Sequence, residues 1–250
     1  MIRHIPNTLT VCNLLCGFLG IMAFSRYNID YAALFILIAA VFDFSDGFAA
    51  RLLNVKSEIG KQLDTLADMI SFGVLPSTLL FAMIDMSLSF RYKQIGGAFR
   101  IEKFNWHYIS LLGVIATIAA AIRLARFNIN KENTESFRGL PTPASAILIA
   151  STYITLYYYK APWVNILLRP QFIIGFTIVV SALMLANIRL FTLKFDNFRW
   201  KQNKIRYIFV VLAFGGIVFF QIAAIPFIIF LYILLSIVKN MFLTPNEIPS

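Results

Sequence analysis

Apolar residues in this chain gather in long blocks rather than alternating with polar ones. The blocks fall at about 8–25, 31–50, 60–84, 106–126, 141–159 and 170–188. A membrane-crossing helix needs ~20 predominantly apolar residues, so each block predicts one span. A further block, at about 206–239, is too long for a single crossing. Pro226 lies inside it, and proline both lacks an N–H and clashes with the preceding turn, so two short helices are expected there. The pattern predicts an all-α, polytopic transmembrane bundle of about eight helices.

Composition agrees with that reading. The 250 residues are 59% hydrophobic and 14% charged, and the mean hydropathy is +0.76. A globular protein carries roughly a quarter charged residues, and a water-soluble monomer could not hide so much apolar surface. Intrinsic disorder, a disulfide scaffold and a collagen-like chain are excluded. Cys12 and Cys16, the two cysteines, lie one turn apart in the first block and read as small packing residues. Arg3 followed by an apolar run imitates a signal peptide, but Leu14 and Leu15 stand where a lipoprotein signal would need a small residue before Cys16. The block is therefore expected to be a retained first transmembrane helix.

The net charge of +10 does not point to nucleic acid, and no nucleic-acid partner is expected, because the basic residues lie between the blocks, where they meet anionic membrane lipids. With the N-terminus in the cytoplasm, 15 of the 22 Lys and Arg residues fall on the inner side. Cytoplasmic loops are enriched in these residues, so both termini are expected inside. The 85–105 loop, with Arg91, Lys93, Arg100 and Lys103, departs from the rule. The basic 191–205 segment is expected to join a core of residues 1–190 to a terminal hairpin of residues 206–250.

Against this background four carboxylates stand out. Asp43, Asp46, Asp64 and Asp68 are a third of the 12 acidic residues and occupy 26 consecutive positions near two predicted helix ends. A carboxylate at the bilayer centre costs about 2.5–3.5 kcal/mol on insertion scales, so the cluster asks for a cation. Asp43 and Asp46 are spaced i, i+3 and Asp64 and Asp68 i, i+4, which puts each pair on one helical face. The short connection folds the two helices antiparallel and lets the pairs converge. Hard oxygen ligands without a neighbouring His or Cys suit Mg²⁺ or Mn²⁺ rather than zinc. Gly47 lets a bulky group approach the helix backbone, and Arg51 can grip phosphate oxygens in a fork. Metal ligands, a bare helix surface and a guanidinium together suit a diphosphate. His4 and His107 are remote in sequence and read as interfacial.

The full string is Asp43, two residues, Asp46-Gly47, two residues, Ala50-Arg51, eight residues, Gly60, three residues, Asp64, three residues, Asp68. It resembles the signature of the CDP-alcohol phosphatidyltransferase family at every defining position and gap. The resemblance covers about residues 5–190. It implies a six-helix membrane core, commonly homodimeric, that displaces CMP from a CDP-linked donor with an alcohol. Asp43, Asp46 and Asp64 would ligate metal, with two ions expected. Asp68 would sit by the second ion and act as general base. Gly47, Arg51 and Ser57 would face the CDP group beside Asp46, and Gly60 would permit close helix approach. Pro6-Asn7-Thr8-Leu9-Thr10 and Asn13 resemble the polar opening of the family's first helix, which also touches the nucleotide.

Three further stretches carry the resemblance to the serine-accepting branch of that family: Met69 to Pro76, Arg123 to Asn128, and Phe137 to Ala144, with Asn13 to Phe18 near the start. That branch implies transfer of a phosphatidyl group from CDP-diacylglycerol to L-serine, giving phosphatidylserine and CMP in phospholipid biosynthesis. Arg123 and Arg126 could hold the serine carboxylate, though positive-inside anchoring explains either one as well. Ser71 and Phe72 could shape the acceptor pocket or simply pack. The 25 Phe and the Tyr157-Tyr158-Tyr159 run are expected to face lipid or its interface. Competing readings keep the chemistry and change the acceptor to glycerol 3-phosphate or inositol, or replace it with cation transport or a membrane scaffold. Transport would predict discontinuous helices and paired repeats, and neither is evident. A compact chain of this kind is expected in a bacterial-type cytoplasmic membrane, its active site facing the cytoplasm.

Overall fold

The computed structural model describes residues 4–55, 57–89, 94–95, 98–99, 107–129, 139–159, 163–188, 209 and 212–242. The chain begins with α1 (Ile5–Ser25) and α2 (Ile29–Leu52), an antiparallel pair joined by three residues. α3 (Glu58–Asp68) runs through a π-helical turn (Met69–Val74) into α4 (Leu75–Ser89), forming one continuous rod. A two-residue antiparallel pair, β1 (Gln94–Ile95) and β2 (Ala98–Phe99), follows. A 3₁₀ segment (Tyr108–Gly113) leads into α5 (Val114–Ile129). The remaining helices are α6 (Thr142–Tyr158), the one-turn α7 (Val164–Leu167), α8 (Pro170–Leu185), α9 (residues 212–220) and α10 (Ala224–Phe242). The all-α bundle expected from the hydrophobic blocks is the fold observed.

Local chemistry places several of the helix ends. Pro6, Pro143 and Pro170 sit in the first turns of α1, α6 and α8, where a missing N–H costs nothing. Ser57 caps α3 by accepting the Gly60 N–H at 3.2 Å. Asn54, at φ 50°, ends α2, and its left-handed backbone lets Val55 N–H reach Ala50 O at 3.0 Å. Pro76 accounts for the π turn: in a regular α-helix its ring would meet the carbonyl of Phe72, and widening the preceding turn relieves that conflict.

The α3–α4 rod is the axis of the molecule, with 78% of its apolar window buried. α1, α2, α5, α6 and α8 pack around it. Small residues let the backbones approach. A Cβ on Gly17 would lie 2.6 Å from Ser71 Oγ, and one on Gly113 would lie 2.8 Å from the backbone nitrogen of Phe81. Ile36, Phe72, Leu75, Leu79, Leu80 and Met83 are among the large side chains sealed in the core. Among the described residues four helical segments are long and apolar enough to cross a membrane: Ile5–Ser25, Ile29–Leu52, Glu58–Leu88 and Tyr108–Ile129. Pro170–Leu185 and Ala224–Ser236 are shorter apolar helices.

Two expectations are corrected. The break in the last apolar block falls at Gln221, with φ 50°, and the 3₁₀ turn Gln221–Ala223. Pro226 instead lies in the first turn of α10, a position proline tolerates. Tyr157 does not face lipid: it is 3% exposed and packs on Tyr153 with ring centroids 4.8 Å apart, while Tyr158 and Tyr159 are exposed. Arg91, Lys93, Arg100, Lys103 and the 191–205 segment lie outside the described residues.

Candidate active site

The two carboxylate pairs meet. Ligand oxygens of Asp43 from α2 and of Asp64 and Asp68 from α3 lie within 4.8 Å of one another. The turn closed by Asn54 brings the C-terminal end of α2 beside α3, so helical faces prepared separately become opposite walls of one site. Asp43 and Asp64 are half-buried, and Asp46 and Asp68 are 6% and 9% exposed. Asp46 stands next to the trio, within electrostatic reach of Asp43 and Asp64. Its Oδ2 lies 2.7 Å from the Thr10 hydroxyl.

The arrangement fits a divalent cation. Among the described residues no ion pair neutralises these carboxylates, and Asp64 Oδ1 is buried without a hydrogen-bond partner. Like charges at this separation repel, and each unit of positive charge placed between them removes part of that cost. An all-oxygen donor set of this kind suits Mg²⁺ or Mn²⁺.

The remaining sequence-derived residues distribute around the cluster. Gly47 is exposed, with nothing among the described residues within 4 Å of where a Cβ would stand. The helix surface there is open. Arg51, also exposed, folds back along α2, its Nε donating to Gly47 O at 3.1 Å. Gly60 faces α1: a Cβ there would come 2.8 Å from Asn7 Oδ1, so the glycine admits the polar N-terminal turn of α1 beside α3. Asn7, Gly47, Arg51, Ser57 and Gly60 thus occupy the same end of the bundle as the carboxylates.

The four acceptor candidates separate. Arg123 is half-buried, lies within electrostatic reach of Asp68, and has a buried Nε without a partner among the described residues. Arg126 is exposed. Ser71 is fully buried and donates to the Asn13 backbone carbonyl at 2.9 Å. Phe72, 2% exposed, belongs to the hydrophobic core.

Two contacts were not anticipated. Besides Thr10 on Asp46, Asn13 places its Nδ2 3.3 Å from Asp68 Oδ1. Asn7, Thr10, Asn13 and Gly17 recur every three or four residues along α1, the repeat of one helical face. That polar stripe was the available signal. Asn128, at the end of α5, pairs with Thr65 at 3.1 Å and ties α5 to α3 beside the cluster. His107 is engaged far from it: its Nδ1 lies 2.9 Å from Asp85 Oδ1.

Comparison with known proteins bears on the family. The family model for CDP-alcohol phosphatidyltransferase matches residues 3–186. A CDP-diacylglycerol–serine O-phosphatidyltransferase of Helicobacter pylori is 29% identical over 241 residues, covering 95% of this chain and 91% of that protein. One of the same name from Bacillus subtilis is 34% identical over 155 residues, covering 60% of this chain and 77% of its own length. The archaetidylserine synthase of Methanothermobacter thermautotrophicus is 32% identical over 187 residues, covering 74% of this chain and 68% of its own. With the match spanning the helices that supply every carboxylate of the cluster, the chain belongs to the CDP-alcohol phosphatidyltransferase family.

Proposed function

We propose that this integral membrane protein transfers a phosphatidyl group from CDP-diacylglycerol to the hydroxyl of L-serine, giving phosphatidylserine and CMP. The observation that carries the reading is the convergence of Asp43, Asp64 and Asp68 within 4.8 Å, on two helices whose neighbouring surface at Gly47 is open. The relatives named for serine transfer support the choice of acceptor.

Asp43, Asp46, Asp64 and Asp68 would hold Mg²⁺ or Mn²⁺, two ions being expected. Such a metal, when bound, neutralises the diphosphate and favours departure of CMP. The open helix face at Gly47 receives the diphosphate, and Arg51, freed from its own helix carbonyl, grips it. Asp68 accepts the proton of the serine hydroxyl as that oxygen attacks the phosphatidyl phosphorus. The new P–O bond forms as the bond to the CMP oxygen breaks. CMP leaves with that electron pair, and Asp68 returns its proton to water. No covalent enzyme intermediate is needed, so kinetics are expected to be sequential.

The charge distribution supports a site at the cytoplasmic face of a bacterial-type membrane, with donor acyl chains left in lipid. Residues 1–190 act as the catalytic core in this reading, 191–205 connect it to the hairpin of residues 206–250, and the working unit is a homodimer.

The test is CMP release by purified protein in detergent–lipid micelles with CDP-diacylglycerol and Mn²⁺ or Mg²⁺, comparing serine, glycerol 3-phosphate and inositol. Serine-dependent release that Asp68→Asn abolishes, with donor binding retained, is expected. Release with another alcohol alone would overturn the acceptor assignment and keep the family chemistry.

A further inference from the structure

Asn13 is fully buried in α1, yet it is a polar side chain in an apolar helix and only half of it is used. A carboxylate can only accept, so the amide turns its Nδ2 toward Asp68 Oδ1, at 3.3 Å. Its Oδ1 is thereby directed away from Asp68 and has no partner among the described residues. The backbone that carries this side chain is held in place. Ser71 Oγ donates to the Asn13 backbone carbonyl at 2.9 Å, and Gly17, one turn on, lies so close to Ser71 that a Cβ would fall 2.6 Å from its hydroxyl. A buried carbonyl oxygen without a donor is rare in folded proteins, and this one lies beside the group proposed to take the acceptor's proton.

A second orphan lies near Asp68 and has the opposite sense. Arg123 Nε is a buried donor without an acceptor among the described residues, on a guanidinium within electrostatic reach of the same carboxylate. Asp68 is thus accompanied by an unsatisfied acceptor from α1 and an unsatisfied cationic donor from α5. A ligand that satisfies both while presenting a hydroxyl to Asp68 carries a donor for Oδ1 and an acceptor for the guanidinium, and charge on each strengthens the bond. A zwitterionic hydroxy-amino acid supplies both in charged form, an ammonium for the amide oxygen and a carboxylate for the guanidinium. Inositol offers both only as neutral hydroxyls, and glycerol 3-phosphate has no cationic donor.

Resting on the serine reading above, we propose that Asn13 is a specificity-determining residue whose Oδ1 accepts a hydrogen bond from the acceptor's ammonium, while Arg123 binds its carboxylate and Asp68 faces its hydroxyl. Positioning of Asp68 by Nδ2 is then one function of the amide and recognition of the amine is the other.

The experiment uses the full protein in CDP-diacylglycerol micelles with three acceptors: serine, 3-hydroxypropanoate, which lacks the amine, and ethanolamine, which lacks the carboxylate. Each analogue is read as an alternative substrate or, where it is not turned over, as an inhibitor competing with serine. Asn13→Ala is expected to lose about 10- to 100-fold in kcat/KM, or in inhibitory affinity, with serine and ethanolamine, the cost of a hydrogen bond to a charged group. With 3-hydroxypropanoate it is expected to lose only what the positioning of Asp68 contributes, so the preference for serine over 3-hydroxypropanoate falls by about 10-fold or more. Arg123→Ala is expected to show the mirror pattern, losing with serine and 3-hydroxypropanoate and sparing ethanolamine. Asn13→Leu, close in volume, replaces the alanine variant should that one not retain donor binding. An equal loss with all three acceptors would leave Asn13 only the positioning of Asp68 and overturn the proposal, and no loss with serine would do so too. Wild-type protein that ignores serine and uses another alcohol would instead overturn the underlying acceptor assignment.

Discussion

Thr10 Oγ1 lies 2.7 Å from Asp46 Oδ2 and 3.0 Å from Pro6 O, and its single proton is drawn to the shorter, charged contact. The hydroxyl fastens α1 to α2 at the depth of the carboxylate cluster. Groups that orient a metal-binding carboxylate are typically worth 10–100-fold in metal affinity. Thr10→Val keeps the shape and removes the donor, so the Mn²⁺ activation curve is expected to move to higher concentration by about that factor. Maximal turnover at saturating Mn²⁺ is expected to survive, and an unmoved curve would remove Thr10 from any part in metal binding.

Gly47 offers an unusual separation of folding from binding. Nothing lies within 4 Å of its missing Cβ, and alanine favours a helix over glycine by about 0.8–1.0 kcal/mol. Gly47→Ala is therefore expected to leave thermal stability unchanged or slightly raised. The added methyl occupies the surface proposed for the diphosphate, so KM for CDP-diacylglycerol is expected to rise severalfold. Thermal unfolding and donor-dependence curves on the same preparation check both halves, and an unchanged KM would place the donor elsewhere.

A cation bound between α2 and α3 stabilises only the folded bundle. At 100 times its dissociation constant a single ion contributes about 2.7 kcal/mol, so the melting temperature of the protein in detergent is expected to rise with Mn²⁺ and fall on chelation. Asp64→Asn removes a ligand whose Oδ1 is buried and unpartnered. In that variant the Mn²⁺-dependent increment is expected to shrink or vanish, while the metal-free melting temperature holds or rises as carboxylate repulsion is relieved. An increment of wild-type size would exclude Asp64 as a ligand.

Asp85 is the control at the other end of the rod. It is 1% exposed and gathers the His107 N–H at 3.0 Å, His107 Nδ1 at 2.9 Å and the Ser110 hydroxyl at 3.2 Å. It thereby pins the start of the 3₁₀ segment about 25 Å along the helix from Asp68. Leaving such donors unsatisfied costs about 1–3 kcal/mol for each buried group. Asp85→Ala is expected to lower thermal stability and leave the kcat and metal dependence of the folded fraction unchanged. A changed metal dependence would connect the two ends in a way the geometry does not suggest.

The reach of the sequence differed from element to element for physical reasons. Carboxylates inside apolar helices are costly and rare, so Asp43, Asp46, Asp64 and Asp68 marked themselves, and i, i+3 and i, i+4 spacing was enough to put each pair on one face. Thr10 and Asn13 carried no comparable mark. Neutral polar residues are common near helix ends, and their partners are set by which helix packs against α1, a tertiary fact absent from periodicity. The same limit applies to Tyr157, which a run of three tyrosines assigned to the interface but which packing on Tyr153 buries. Pro226 misled because proline ends a helix only when it lies inside one. In a first turn it is neutral, and the backbone reversal at Gln221 had no residue-level cue.

Because the widened turn at Met69–Val74 holds one more residue than an α-helical turn, the rod on either side of it runs out of phase with itself. The half that carries Asp64 and Asp68 is indexed to α1, while the half that carries Leu75 and Leu79 is indexed to the core. Removing one residue here would turn one half against the other by about 100°, taking Asp68 off the azimuth it shares with Asn13 without altering the hydropathy of the segment at all. The length of this turn is therefore fixed by chemistry rather than by the membrane: it works as a ratchet tooth that single-residue gains or losses would strip.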